Sequence, residues 1–429
     1  MNDAAANAAK AASPEMSDDH LTTADGRPLK VALAEAQAKA RRRAFLLVLP
    51  LLAFILVSFV FPITQLLYRS VYNPAFSDNM PALVQWFSEN SDSTEPGEDA
   101  FAALASDLKS LRENKTAGIV GTRVNYDLPG SRSLFTKSAR KASKLEPPYR
   151  EAILDIDEDW ADPLLWRVMR TASSPITGSF YLAALDRTRD AEGNIQPVAE
   201  ERQVYIKLFK RTLFLSALIT LTTLILGFPV AHLLATLPLR QSNLLMIFVL
   251  LPFWTSLLVR TTSWIVLLQS QGVINNVMVA TGVLDDESRI QMIYNQTGTI
   301  IAMTHILLPF MILPLYSVMR PIDPSYVRAA RSLGASSWTA FRRIYLPQTV
   351  PGVAAGALLV FILAVGYYIT PALVGGSNGQ LISNLIAFHM QKSLNWSLAA
   401  ALAALLLGGV LILYWLYDRL IGIDNLKLG

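Results

Sequence analysis

Four histidines, His20, His232, His305 and His389, and the acidic run Asp155, Asp157 and Asp159 are the residues from which a metal or acid–base centre would have to be assembled. The histidines are scattered, with none of the short helical spacings that bring two imidazoles onto one metal. The aspartates alternate like the opening of a calcium loop. Such a loop needs Gly at its sixth position and Glu at its twelfth, and Trp160 and Trp166 stand there. The run therefore reads as a solvated acidic turn. With no cysteine, thiolate chemistry and disulfides are excluded. No phosphate-cradling Gly-x-x-x-x-Gly-Lys-Ser/Thr run occurs, so the chain is not expected to bind a nucleotide itself. No catalytic residue and no metal ligand emerges.

What remains is polar chemistry inside apolar runs. Arg260 follows Ser256-Leu257-Leu258-Val259. A central arginine costs roughly 2.5–3.5 kcal/mol to insert into a bilayer, so it is expected near the outer end of its helix or on a translocation path with a polar partner. Tyr367 and Tyr368 follow Gly366 and precede Pro371. They either line a path, where aromatic faces attract organic cations, or anchor at the interface; the sequence leaves both open. No apolar run carries Asp or Glu in its middle, which argues against a membrane enzyme and, more weakly, against an ion-coupled secondary transporter.

The elements that must hold these residues are membrane helices. Of the 429 residues, 52% are hydrophobic and 16% charged, too apolar for a soluble chain of this length. Runs near 44–68, 208–235, 244–268, 298–320, 350–374 and 397–417 each reach the ~20 residues that cross a bilayer as a helix. Lys39, Arg41, Arg42, Arg43, Arg240, Arg328, Arg331, Arg342, Arg343, Arg419 and Lys427 fall on one side of this arrangement, Arg289 and Lys392 on the other. By the positive-inside bias both termini are cytoplasmic. The net charge of +4 marks topology and not a nucleic-acid footprint.

Residues 1–43 are polar, rich in alanine and poor in aromatics, and are expected to be a disordered cytoplasmic tail. The first transmembrane helix is expected at 44–68, a core of five more at 206–421, and a cytoplasmic tail at 422–429. Between the first two helices, residues 69–205 are expected to form an insert outside the cytoplasm. Phe101, Leu104, Leu108 and Leu111 recur at helical spacing, and Asp162-Pro163 starts a helix. The insert is therefore expected to be helical, with loops near 88–98 and 189–199.

The loop 323–347 is polar and basic between two apolar runs. Asp323-Pro324 is a capped helix start. Tyr326, Ala329, Ala330 and Leu333 form one small apolar face. Gly334 follows where a helix ends in a left-handed residue. Ser336 or Ser337 caps a second short helix that carries Trp338, Phe341, Arg342 and Arg343 and is expected to run up to Pro347.

This loop resembles the EAA loop of ABC-importer permeases, the binding-protein-dependent inner-membrane components. Ala329, Ala330, Gly334, Ile344, Leu346 and Pro347 stand at that motif's positions, and Arg328 stands where the family usually has Glu. The runs LPFWTSLLVRT over 251–261, LPFMILPLY over 308–316 and TPALVGG over 370–376 resemble the spermidine/putrescine, PotB-like branch. The resemblance implies an all-α membrane protein of the type I ABC importer (MetI-like) fold, with six transmembrane helices. It also implies a cytoplasmic ATPase dimer docked on the loop, with ATP and Mg held there and no cofactor on this chain. A second, PotC-like permease and a periplasmic solute-binding protein complete the implied assembly in a bacterial inner membrane. Polyamines are the implied cargo, with an opine, an amino-acid derivative or an anion as alternatives.

Overall fold

The computed structural model describes residues 28–90, 95–189 and 193–421. Most of the expected N-terminal tail and the whole of 422–429 lie outside them. The chain divides into two units, 1–66 and 67–429.

Within the first unit, helix α1 begins at Leu29, well before the expected residue 44, so 29–43 are helical and not a disordered tail. The helix runs Leu29–Ile55, passes a π-turn Leu56–Val60 and continues Phe61–Val71. Pro62 explains the turn. It has no N–H, and its ring crowds the carbonyl four residues back. The chain widens by one residue, and Phe61 N–H reaches the Leu56 carbonyl.

In the second unit the insert is helical: α2 Pro81–Glu89, α3 Glu98–Glu113, α4 Ala117–Asn125, α5 Ser131–Lys141, α6 Tyr149–Leu154, α7 Pro163–Ser173 and α8 Ser179–Ala184. Phe76, Phe101, Leu104, Leu108, Leu111, Phe135, Trp160 and Trp166 are buried together. At about 1.5–3 kcal/mol per large apolar side chain removed from water, this cluster gives the insert a core of its own. Part of the expected loop at 189–199 is strand: β1 Arg187–Arg189 pairs antiparallel with β2 Ile195–Pro197. In the acidic turn, Asp157 accepts from Lys137 Nζ at 2.7 Å and from Asp159 N–H. The Lys137 hydrogen bond holds the Asp157 carboxyl below the usual carboxylate range.

The core follows: α9 Tyr205–Thr236, α10 Leu239–Leu250, α11 Leu257–Leu268, α12 Val273–Ala280, α13 Gln296–Met319, α14 Pro324–Ser332, α15 Ser337–Gly366, α16 Ile369–Val374, α17 Ile382–Gln391 and α18 Trp396–Ile421. With α1, helices α9, α13, α15 and α18 are each long and apolar enough to cross a membrane. The expected third span, 244–268, is not one helix. It breaks at Leu251–Ser256, and its two halves meet at 96°. Pro252 starts a short 3-10 turn, Thr255 is extended, and the Ser256 side chain accepts from Val259 N–H to open a new helix. Counted as one span, this bent pair brings the total among the described residues to six.

Helix α13 is the centre of the bundle. Met303, Leu307, Met311, Leu315 and Met319 recur every fourth residue and pack with Ile219, Ala231 and Leu234 of α9 and with Val360 and Ala364 of α15. Gly352 and Gly356 of α15 allow the close approach. A Cβ at Gly352 would lie 3.1 Å from the Pro314 carbonyl, and one at Gly356 2.8 Å from Met311 sulfur. Without a hydrophobic drive between helices in lipid, such backbone proximity is what holds a membrane pair together.

Helix α9 is capped at both ends by residues from elsewhere. The buried Asp186, just after α8, accepts from Val204 and Tyr205 N–H at 3.1 Å and from Ile206 N–H at 2.7 Å. Arg320, just past α13, donates to the Ala235 and Leu237 carbonyls at 2.7 and 2.9 Å. The insert is also tied to the core by Asn73 donating to Ser397 Oγ at 3.0 Å, and by Phe180 and Ala184 packed with Leu208, Leu398 and Leu402.

Candidate functional site

The loop between α13 and α15 is built as the sequence dictates at its first corner. Asp323 accepts from Ser325 N–H at 2.8 Å and Pro324 occupies the first turn of α14. That backbone hydrogen bond holds the exposed Asp323 carboxyl below its ordinary range. The helix closes by two reverse bonds, Gly334 N–H to Arg331 carbonyl at 3.0 Å and Ala335 N–H to Ala330 carbonyl at 3.1 Å. This is the Schellman pattern, and it needs a left-handed residue at Gly334, whose φ is +89°. No atom lies within 4 Å of a Cβ built there.

The second helix differs from expectation. Ser336 caps it, accepting from Thr339 N–H at 3.2 Å, but it does not stop at Pro347. It is the first turn of α15, which continues into the membrane. A π-turn at Phe341–Tyr345 absorbs Pro347, with Leu346 N–H bonded to the Phe341 carbonyl. The device is the one seen before Pro62. Ile344 and Leu346 are half-buried beside it, whereas Arg328, Ala329 and Pro347 are exposed and Ala330 is half-buried. Tyr326, Leu333 and Trp338 offer an open apolar face, with Leu333 90% exposed. Its surroundings are basic: Arg328, Arg331, Arg342 and Arg343 are all exposed.

From that face a run of aromatic rings leads inward. Trp338 stacks on Phe341 at 5.8 Å and Phe341 on Tyr345 at 5.7 Å. Phe341 meets Phe228 and His232 of α9 edge-on, and the Tyr345 hydroxyl lies 3.0 Å from His232 Nδ1. Sequence inspection had placed Trp338 and Phe341 on the loop helix. It had no signal for their pairing with His232, which depends on how α9 lies against α15.

The second set of sequence candidates gathers around the two broken helices. Arg260 is not in the middle of a continuous span. It sits in the first turn of α11, just past the break at Leu251–Ser256. Its Nε is buried with no hydrogen-bond partner among the described residues. It lies within electrostatic reach of His305 and Tyr367. His305 accepts from Trp264 Nε1 at 3.1 Å. Thr261 Oγ1 and Thr370 Oγ1, both buried, stand 3.4 Å apart.

The expected fifth span also ends early, at Gly366. Tyr367 is extended, Tyr368 is exposed, and α16 restarts at Ile369. Carbonyls at the break are met by α17: Ser383 Oγ donates to Tyr367 O and Asn384 Nδ2 to Tyr368 O, each at 2.6 Å, the latter beside the bond from Ala372 N–H at 3.0 Å. Irregular backbone at membrane depth persists only when it is satisfied in this way or lines a cavity. Arg260 and Tyr367 thus come within electrostatic reach of each other, while Tyr368 is exposed.

Residues 224–421 match the family model described as the inner membrane component of binding-protein-dependent transport systems. The chain is 36% identical over 221 residues to the spermidine/putrescine transport system permease protein PotB of Escherichia coli, which takes in 51% of this chain and 80% of that protein. PotB of Haemophilus influenzae is 34% identical over 216 residues, covering 50% of this chain and 75% of that one. Among solved structures, a bacterial ABC transporter involved in the import of the acidic polysaccharide alginate aligns with 69% of this chain and 99% of its own, at 19% identity and a TM-score of 0.48.

Proposed function

The chain belongs to the binding-protein-dependent transport system inner membrane components, and on that premise we propose that it carries polyamines, spermidine or putrescine, into a bacterial cell. It is a multi-pass permease subunit of an ABC importer. In the proposed assembly a cytoplasmic ATPase dimer supplies the ATP chemistry, a second, PotC-like permease completes the pore, and a periplasmic solute-binding protein delivers the cargo. Both termini and the α14–α15 corner face the cytoplasm, and the insert faces the periplasm.

The observation that carries this reading is the α14–Gly334–α15 corner. It presents Tyr326, Leu333 and Trp338 in the open, ringed by arginines, on a rigidly closed turn. A free loop has no reason to fix such a face, whereas a docking element does. Arg328, Ala329, Ala330, Gly334, Ile344, Leu346 and Pro347 form the corner and its root in α15. The polyamine assignment is supported by the identity to the PotB proteins. The binding protein supplies the carboxylates that a polycation wants, and the permease offers a weak passage that releases its cargo easily.

A second cargo is favoured by one observation. Arg260 brings a half-buried positive charge within electrostatic reach of Tyr367 and His305, chemistry suited to a carboxylated or zwitterionic solute. Reconstitution with the ATPase, second permease and binding protein tests both. Vanadate-sensitive uptake of labelled putrescine, competed by spermidine, is the expected result. Uptake of a carboxylated amine with neither polyamine carried would remove the polyamine assignment and leave the importer.

A further inference from the structure

We propose that the Tyr345–His232 pair is the latch through which motion of the exposed α14–α15 corner is passed to α9, so that both are positioning residues for transport. The inference rests on the importer reading above and adds a specific route to it.

Trp338, Phe341 and Tyr345 follow one another at helical spacing and make a single stripe, stacked at 5.8 and 5.7 Å with interplanar angles of 22° and 24°. Phe228 and His232, one turn apart on α9, make the facing stripe. They meet Phe341 edge-on at 6.3 and 6.1 Å, and His232 meets Tyr345 at 4.9 Å. The outer end of the stripe is open, with Trp338 66% exposed, and the inner end is buried, with Tyr345 at 7%. Each ring meets the next, so a displacement of Trp338 is passed through Phe341 and Tyr345 to α9.

The hydrogen bond at the inner end gives the contact direction. Rings in edge and face contact slide at little cost, since their attraction is weak and only loosely directional. The 3.0 Å hydrogen bond between the Tyr345 hydroxyl and His232 Nδ1 fixes which part of α9 follows. The π-turn Phe341–Tyr345 lies directly beneath the stripe. A widened turn is where a helix bends and is common at working sites. At its other end α9 is held by Asp186, so movement of α9 is carried across the membrane to the base of the insert.

The chain has no cysteine, so a single one reports locally. Lys210, exposed in α9 near Asp186, is replaced by Cys in the assembled complex in nanodiscs, and its maleimide labelling rate is compared with and without ATP plus vanadate. Tyr345→Phe keeps the rings and removes the bond. It is expected to cut the vanadate-dependent change by about fivefold, the scale of a coupling near 1 kcal/mol, with the ATPase still bound. His232→Gln, whose amide can meet the hydroxyl, is expected to retain most of the change, whereas His232→Ala is expected to lose it. A Tyr345→Phe response equal to wild type, or equal responses of the Gln and Ala variants, overturns the latch. Failure of the wild-type chain to hold any ATPase overturns the importer reading and the latch with it.

Discussion

Asp186 and Arg320, far apart in sequence, hold opposite ends of one helix. The Asp186 carboxylate takes three backbone N–H groups at the start of α9, and the Arg320 guanidinium takes two carbonyls at its end. Each charge sits at the pole of the helix dipole that favours it. Each also satisfies backbone groups that a helix cannot satisfy itself. Because Asp186 closes the insert and Arg320 begins the α14–α15 corner, α9 is the strut between the two.

That arrangement predicts a hierarchy of stabilities. Asp186→Ala leaves three N–H groups open and is expected to cost about 2 kcal/mol. Asp186→Asn, which keeps an acceptor, should cost less. Arg320→Met is expected to cost about 1–2 kcal/mol. The two sites are distant, so a double variant should show an additive loss. Thermal unfolding in detergent reads all four. Strong non-additivity would mean that the two caps do not act independently.

The α14–α15 corner makes a second prediction. Gly334 has open space around it, so a substitution fails through backbone strain and not through a clash. A β-branched residue at this φ costs roughly 1–2 kcal/mol, and the Schellman bonds would loosen. Gly334→Val is expected to insert normally, bind the ATPase poorly and lose uptake. Gly334→Asn should keep much of both, because Asn tolerates the left-handed region. Equal loss in both variants would point to the added volume and not to the turn. Arg328→Glu changes the charge offered to the docking partner, and the direction of its effect depends on the charge it meets there.

Topology is testable in the cysteine-free chain. Cysteines placed at the exposed positions Glu113 and Asn378 should react with an impermeant thiol reagent from outside intact cells. Those at Gln241 and Ser337 should be protected until the membrane is opened. Ser242 is unsuitable as a reporter, since it is buried and donates to the Leu234 carbonyl. Outside labelling at Ser337 would reverse the orientation and end the docking role of the corner.

A buried carboxyl gives the insert a pH dependence. Asp107 lies beneath the start of α2 and accepts from Ala82 and Leu83 N–H at 3.1 and 2.8 Å. Burial pushes its pKa up to about 6, against the pull of those two bonds. The folded insert therefore holds a proton that the unfolded chain, with a carboxyl near 3.9, has already released. Between these values the folded state binds more protons, so stability falls as pH rises from about 4 to 6. The expected loss is on the order of 2–3 kcal/mol. Hydrogen exchange of α2 and α3, corrected for intrinsic rates, should show it. Asp107→Asn should flatten the dependence, and an unchanged slope would assign it to another group.

Much of this was legible in the sequence because it depends on local rules. The apolar runs marked the spans, since a helix in lipid must be long and apolar over its whole length. Asp323-Pro324, Gly334 and Ser336 announced the corner, because caps and left-handed turns are properties of single residues. The break in the third span was written there too, in Pro252 and the capping Ser256, but the apolar run was continuous across it and hid the 96° bend.

The tertiary structure decided what local rules cannot reach. Pro347 looked like a stop, yet packing along α9 carried α15 through it by a π-turn. Arg260 reads from sequence as a charge at a helix end or on a path with a polar partner, and only the broken helices bring it within electrostatic reach of His305 and Tyr367. Neither His232 nor Asp186 stands in a sequence motif. Their roles exist only because Tyr345 and the first turn of α9 arrive next to them. Local spacing fixes which face a residue takes on its own helix, but contact between helices depends on how close their backbones come. In this chain that closeness is set at Gly352 and Gly356, where a missing Cβ lets α15 settle against Met311 and Pro314.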